Sequence, residues 1–229
     1  MLTTGGIVAL ATVLCWTGSV QFFEAASKKV GAVSVNIIRI SVALLLFTSF
    51  LIYRDGVPVP IHFPFHAWFC LSLSGVVGFF IGDIFLFQAL VELGPRITML
   101  IQSLAAPTAA VIGWMVLDEH YQPYQWMGML ITLSGVSAVV LERGKKRIPA
   151  RRLNVRNVTV KGVACALLAM LGQAGGLLLS KAGMQENGGY LDAFSATQIR
   201  ALAAFVCFLL YFTLSGSWSQ VRLALDNTR

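Results

Sequence analysis

The stretch Ile97-Thr98-Met99-Leu100-Ile101-Gln102-Ser103-Leu104-Ala105-Ala106-Pro107-Thr108-Ala109-Ala110-Val111-Ile112-Gly113-Trp114-Met115-Val116-Leu117 contains no charged residue. Coiled as a helix at about 1.5 Å per residue, it matches a hydrocarbon layer about 30 Å thick. Gly94-Pro95-Arg96 precedes it and Asp118-Glu119-His120 closes it, so the apolar run is bounded by polar punctuation at both ends. A barrel strand would be about ten residues of alternating character, and an isolated run in lipid must satisfy its own backbone. The segment therefore reads as a transmembrane helix.

Six more segments of the same kind lie on either side. They are Gly5–Phe23, Val33–Tyr53, Ala67–Leu90, Tyr124–Leu141, Gly162–Ser180 and Ala193–Leu214. The composition agrees: of 229 residues, 57% are hydrophobic and 12% charged, with a mean hydropathy of +0.76. Soluble domains carry about 25% charged residues, so half that share cannot cover a water-facing surface. An all-α, multi-pass membrane bundle of about seven helices is expected, which excludes soluble enzymes, secreted disulfide scaffolds and disordered chains. Cys15, Cys70, Cys165 and Cys207 all sit inside apolar segments without metal-ligand spacing and read as packing residues. The first segment lacks a basic flank and is too long for a signal peptide, so it reads as a retained span.

The net charge of +7 comes from one place. Arg143, Lys145, Lys146, Arg147, Arg151, Arg152, Arg156 and Lys161 form a linker without an acid, and without them nine basic residues face ten acidic ones. Nucleic-acid binding, which wants a basic face on a folded surface, is thereby disfavoured. A basic cluster beside apolar spans marks a cytoplasmic loop. Lys28, Lys29 and Arg96 fall on the same side as the linker, and Asp118 and Glu119 on the other.

The linker separates two related pieces. Gly6-Ile7-Val8-Ala9-Leu10 aligns with Gly162-Val163-Ala164-Cys165-Ala166, and Ser34-Val35-Asn36-Ile37-Ile38-Arg39 aligns with Ser195-Ala196-Thr197-Gln198-Ile199-Arg200. Ala43 and Phe47 then match Ala204 and Phe208. The one arginine inside each aligned span recurs at equal depth. A repeat that restarts at the sixth span has five helices, and an odd unit inverts its second copy, the plan of many secondary transporters. The expected organisation is a first repeat over 1–142, a basic linker over 143–161, and two helices of a second repeat over 162–229. Ten helices would complete the plan, so the second repeat is expected to be incomplete and the reading frame truncated. A seven-helix receptor is the competing plan, and it predicts no echo of Arg39 at Arg200.

Gly82-Asp83-Ile84-Phe85-Leu86-Phe87-Gln88-Ala89-Leu90, then Gly94-Pro95-Arg96 and Ser103-Leu104-Ala105-Ala106-Pro107, resembles the third and fourth helices of the EamA family. Leu117-Asp118-Glu119, Gly128, Gly135 and Ile38-Arg39 fit the same pattern, although Asp118 stands where the family commonly has Gly. The resemblance implies membership of the drug/metabolite transporter superfamily, with ten helices in two five-helix repeats. It also implies both termini inside, whereas the charge rule with five spans before the linker puts the N-terminus outside.

Polar groups within the bilayer are the candidate functional residues, because a charge there costs roughly 2.5–3.5 kcal/mol on insertion scales. Asp83 lies deep in its span and would bind a substrate cation, take a proton, or tie helices together. Arg39 and Arg200 would anchor at the interface, pair with Glu24, Asp83 or Glu119 as a gate, or clamp an anionic substrate group. Gln21, Gln102 and Gln173 are hydrogen-bonders that line a cavity or join helices, and Trp16 is a cavity wall or a packing residue. Pro107 kinks the fourth span and is a hinge candidate. His62 and His66 bracket Pro64 and lack the helical spacing of a metalloprotease. No phosphate loop, nucleophile elbow or ATPase signature occurs, so no metal or cofactor is expected.

The expected function is a secondary transporter of the bacterial inner membrane, a permease that exports small polar metabolites by alternating access. Its partners would be a small-molecule substrate, the lipid bilayer and a proton or other coupling ion, with homodimerisation open. A membrane-embedded enzyme and a non-transporting remnant are the alternatives.

Overall fold

The structure is a computed structural model that describes residues 4–116, 122–145, 159–186 and 189–216. Its helices are α1 (Thr4–Val30), α2 (Ala32–Asp55), α3 (Phe65–Ser74), a π-helical segment (Gly75–Gly82), α4 (Asp83–Leu93), α5 (Pro95–Gln102), α6 (Ala105–Val116), α7 (Pro123–Lys145), α8 (Val160–Met184) and α9 (Ala193–Ser215). Short strands β1 (Gln185–Glu186) and β2 (Gly189–Tyr190) pair antiparallel between α8 and α9. Each of the seven predicted spans is helical. Six are long and apolar enough to cross a membrane among the described residues, namely those from α1, α2, Phe65–Leu93, Pro95–Val116, α8 and α9. The chain is an all-α, multi-pass membrane protein. Residues 146–158 of the linker lie outside the described residues.

The helices outrun the apolar runs that announced them. α1 continues seven residues past Phe23 to Val30, carrying Glu24 and its ion-pair partner Lys28 one turn on. Lys28 and Lys29 occupy the last turn, where cations oppose the helix dipole. Gly31, at φ 90°, then turns the chain directly into α2, a conformation that glycine adopts without a Cβ penalty. Thr159 caps α8 by accepting the Gly162 amide at 3.1 Å, and Asp192 caps α9 by accepting the Ser195 amide at 2.8 Å.

Two of the crossings are broken, and both breaks have a local cause. Span four stops at Ser103-Leu104 and resumes as α6. Pro107 has no amide to give the Ser103 carbonyl four residues back, and its ring crowds that carbonyl. Span three was expected to be one continuous helix, but its middle widens into the π segment. The three glycines that the sequence puts on one helical face are thereby divided between two partners. A Cβ at Gly75 would overlap the backbone carbonyl of Arg200 in α9, while Cβ atoms at Gly78 and Gly82 would meet Gly176 and Gly172 of α8. Ser74 Oγ donates to the Gly176 carbonyl at 2.6 Å across the same crossing.

α8 is the central helix, packed on α3, the π segment, α4 and α6. α9 packs on the π segment, α2 and α3, and α1 lies on α2 and α4. Chain directions follow from the partners. Cys70 and Leu71 meet Gly183, Gly82 meets Gly172, and Leu93 meets Gly162, so span three and α8 run antiparallel. Ile37 and Ile40 pack with Phe208 and Phe212, Gln198 donates to Thr48 Oγ1 at 2.9 Å, and Arg54 meets Asp192. α2 and α9, which carry the two matched arginines, are therefore antiparallel as well. Leu10, Leu14, Leu45, Leu46 and Leu214 point outward as the lipid-facing surface.

Candidate functional site

Asp83 is the first residue after the π segment and is almost fully buried, 4% exposed. A carboxylate so placed needs a cation, and α2 delivers one. Arg39 lies one turn below Asn36, and its guanidinium forms an ion pair with Asp83 while Nη2 also donates to Asn36 Oδ1 at 3.1 Å. Phe23 of α1 and Phe87 of α4 flank that guanidinium, with their ring centroids 5.8 and 5.4 Å from Cζ. Cation–π contacts of this kind stabilise a desolvated guanidinium without neutralising it.

Arg200 is the second buried arginine of the bundle. It enters from the opposite end of the bundle, on the antiparallel α9, and is only 9% exposed. Its Cζ stands 4.4 Å from the centroid of Phe79, in the π segment. In the structure Arg39 is paired with Asp83, and Arg200 is buried. Three donors in this region have no hydrogen-bond partner, Asn36 Nδ2, Arg39 Nε and Arg200 Nε.

The remaining candidates fall elsewhere. Trp16 and Gln21 of α1 and Gln102 of α5 line one groove of about 790 Å³, together with Arg96, Met99 and Ser103. Gln102 Oε1 is buried there without a partner. Gln173 is half-buried on α8 and does not line that groove. Glu24 pairs with Lys28 on its own helix instead of with an intramembrane arginine. Pro107 is buried in α6 just beyond the break in span four, and Glu119 lies outside the described residues. Among the described residues no three His, Cys, Asp or Glu side chains gather as a metal site.

A sequence model of the EamA-like transporter family matches residues 3–141, more than half of the chain and all of α1 to α6. The chain belongs to that family. It is a DMT-superfamily transporter protein, and Arg39, Asp83, Gln21 and Gln102 fall within the matched region while Arg200 and Gln173 lie beyond it. No curated protein and no solved structure matches this EamA chain.

Two sets of residues escaped the sequence reading. Asn36 sits inside the repeated motif and is fully buried, so its polarity within an apolar run was the available signal. At one end of the bundle, Arg54 Nη1 and Nη2 each donate to an Asp192 carboxylate oxygen at 2.9 Å, joining α2 to α9. These bonds, with the Ser195 amide, hold the Asp192 carboxyl down at about 2. Both residues lie in polar stretches where nothing local says that they meet.

Proposed function

We propose that this protein is a secondary transporter of the bacterial inner membrane that exports a small polar metabolite by alternating access between two inverted halves. The observation that carries the reading is a charged centre assembled from opposite directions. Arg39 descends from one end on α2 and pairs with Asp83, and Arg200 enters from the other end, buried on the antiparallel α9. Such a centre costs free energy in hydrocarbon and is retained where a pathway uses it. The matched positions of the two arginines support a second half that begins as an inverted copy of the first.

Asp83 would then exchange partners as the halves rock, with a proton or another ion drawing on a gradient. The groove with Trp16, Gln21 and Gln102 would serve as an approach to the centre, and the break near Pro107 as its hinge. Metabolite efflux from cells that express the protein tests this reading. Asp83→Asn is expected to lower the rate at least about tenfold at equal membrane abundance, as loss of a buried charge contact would. An unchanged rate removes Asp83 from the mechanism.

A further inference from the structure

The two ends of the bundle are built differently. At one end the groove of α1 and α5 runs inward from Pro95 and Arg96, the first residues of α5, to Trp16 and Gln102. At the other end α2 and α9 are fastened together. Arg54, in the last turn of α2, gives Nη1 and Nη2 to the two carboxylate oxygens of Asp192, the cap of α9. Phe194 packs on Phe50 and Phe47 of α2 at centroid distances of 4.8 and 6.3 Å, and the Arg54 Cζ lies 5.7 Å from the Phe50 ring.

Each member of the ion pair keeps other partners if the pair is broken. Arg54 Nε and Nη2 also donate to the neighbouring Asp55, at 2.8 and 2.7 Å. Asp192 also accepts from the amide and the hydroxyl of Ser195, both at 2.8 Å. Parting the helices therefore strands neither charge, which removes the main cost of breaking a charged contact. The two side chains are 34% and 36% exposed, so water screens the bond and keeps it weak. Deeper in the seam Gln198 is buried, and its Nε2 donates to Thr48 Oγ1 and the Pro58 carbonyl while Oε1 has no partner. It lines a cavity of about 90 Å³ with Thr48, Pro58 and Trp68, larger than one water molecule needs. Water admitted there would supply the donor that Oε1 lacks. Deeper still, Ile37, Ile40, Phe208 and Phe212 are apolar and offer water nothing. The seam is separable at one end and permanent at the other.

We propose that Arg54, Asp192 and Phe194 form a reversible gate at the end of the bundle opposite the groove, opened by parting the first turn of α9 from the last turns of α2. The gate rests on the transport reading and deepens it. It is the outer gate, because the groove end carries Lys28, Lys29, Arg96 and Lys161. A shut gate with an open groove is one of the two states that alternating access requires.

The test uses the full chain with Cys15, Cys70, Cys165 and Cys207 replaced by alanine. Ile199→Cys puts a thiol at a buried position behind the gate, on the wall of the Gln198 cavity. Impermeant methanethiosulfonates, one anionic and one cationic, are added from outside, so that the route is aqueous and charge steering is controlled. Arg54→Gln, and Asp192→Asn with its cap retained, are each expected to raise the labelling rate about threefold with both reagents, the share that an exposed pair controls. The double variant is expected to go no further, since the two residues share one contact. Leu202→Cys serves if Ile199→Cys does not fold. Phe50→Cys with Phe194→Cys, joined by a short bis-methanethiosulfonate, is expected to lower efflux at least about tenfold, as locking one of two required states would. Dithiothreitol is expected to restore it.

Labelling unchanged in the gate variants, or raised with one reagent alone, would overturn the gate, as would efflux unchanged by the cross-link. If Asp83→Asn lowers efflux while the cross-link does not, the gate fails and the transport reading stands. If the gate variants raise labelling but the expressed chain gives no efflux, the transport reading fails and the opening of this end stands.

Discussion

Asp192 shows how one exposed carboxylate is tied to the stability of the bundle. Hydrogen bonds from Arg54 and the Ser195 amide depress its folded pKa from 3.8 to about 2. A depressed acid contributes stability that is present above its unfolded pKa and is lost as pH falls through the folded value. We expect the unfolding midpoint of the wild type to fall more than that of Asp192→Asn between about pH 4 and pH 2. The difference should stay under about 1 kcal/mol, because the pair is screened by solvent. Parallel midpoints across that window would show that the contact contributes nothing. At the residue scale the buried charges were legible in the sequence, since Asp83, Arg39 and Arg200 interrupt apolar runs. Asp83 was one of three acids open to Arg39, but hydropathy gives depth along a helix and not the azimuth that selects Asp83 for Arg39 or brings Arg200 to Phe79.

Among the elements, the π segment and α8 cross backbone against backbone. A Cβ on Gly172 would stand 2.9 Å from the Gly82 Cα and 3.1 Å from the Val77 carbonyl oxygen, and both are backbone atoms that cannot swing aside. Gly172→Ala should therefore force the helices apart and cost about 1–3 kcal/mol, as overpacking does. Gly128→Ala on α7 has nothing within 4 Å and should be neutral within about 0.5 kcal/mol. Thermal unfolding of the two variants side by side would check the contrast, and an equal effect would contradict the packing. Gly75, Gly78 and Gly82 stand three and four residues apart, a helical spacing that the sequence shows directly. The π turn was not legible there, because an α-helical reading keeps Gly75, Gly78 and Gly82 on one face. In the structure Gly75 faces α9 and the other two face α8. The break in span four was legible, since a proline removes a named hydrogen bond whatever surrounds it.

Across the whole molecule, the antiparallel run of α2 against α9 sorts the ends of the bundle. Lys29 and Lys161 belong to the end where Glu24 approaches Gly94 and Leu93 meets Gly162. Asp55 and Tyr190 belong to the end closed by Arg54 and Asp192. Single cysteines at Lys29 and Lys161 should be labelled by an impermeant maleimide from the same side of the membrane, and those at Asp55 and Tyr190 from the opposite side. Labelling of Lys29→Cys and Asp55→Cys from one side would contradict the arrangement. The architecture was legible at this scale because each span carries its own hydropathy signal. The Arg54–Asp192 contact was not, as the two residues are 138 positions apart and both lie in ordinary polar stretches.

The seat of Gly75 against Arg200 has a mechanical meaning. The carbonyl of Arg200 rests on the backbone of span three, while its guanidinium lies over Phe79, four residues farther along the same segment. Fulcrum and load are thus a single amino acid. A tilt of α9 about this seat would carry the guanidinium with it. A bulkier side chain at position 75 would overlap the Arg200 backbone and push α9 off span three.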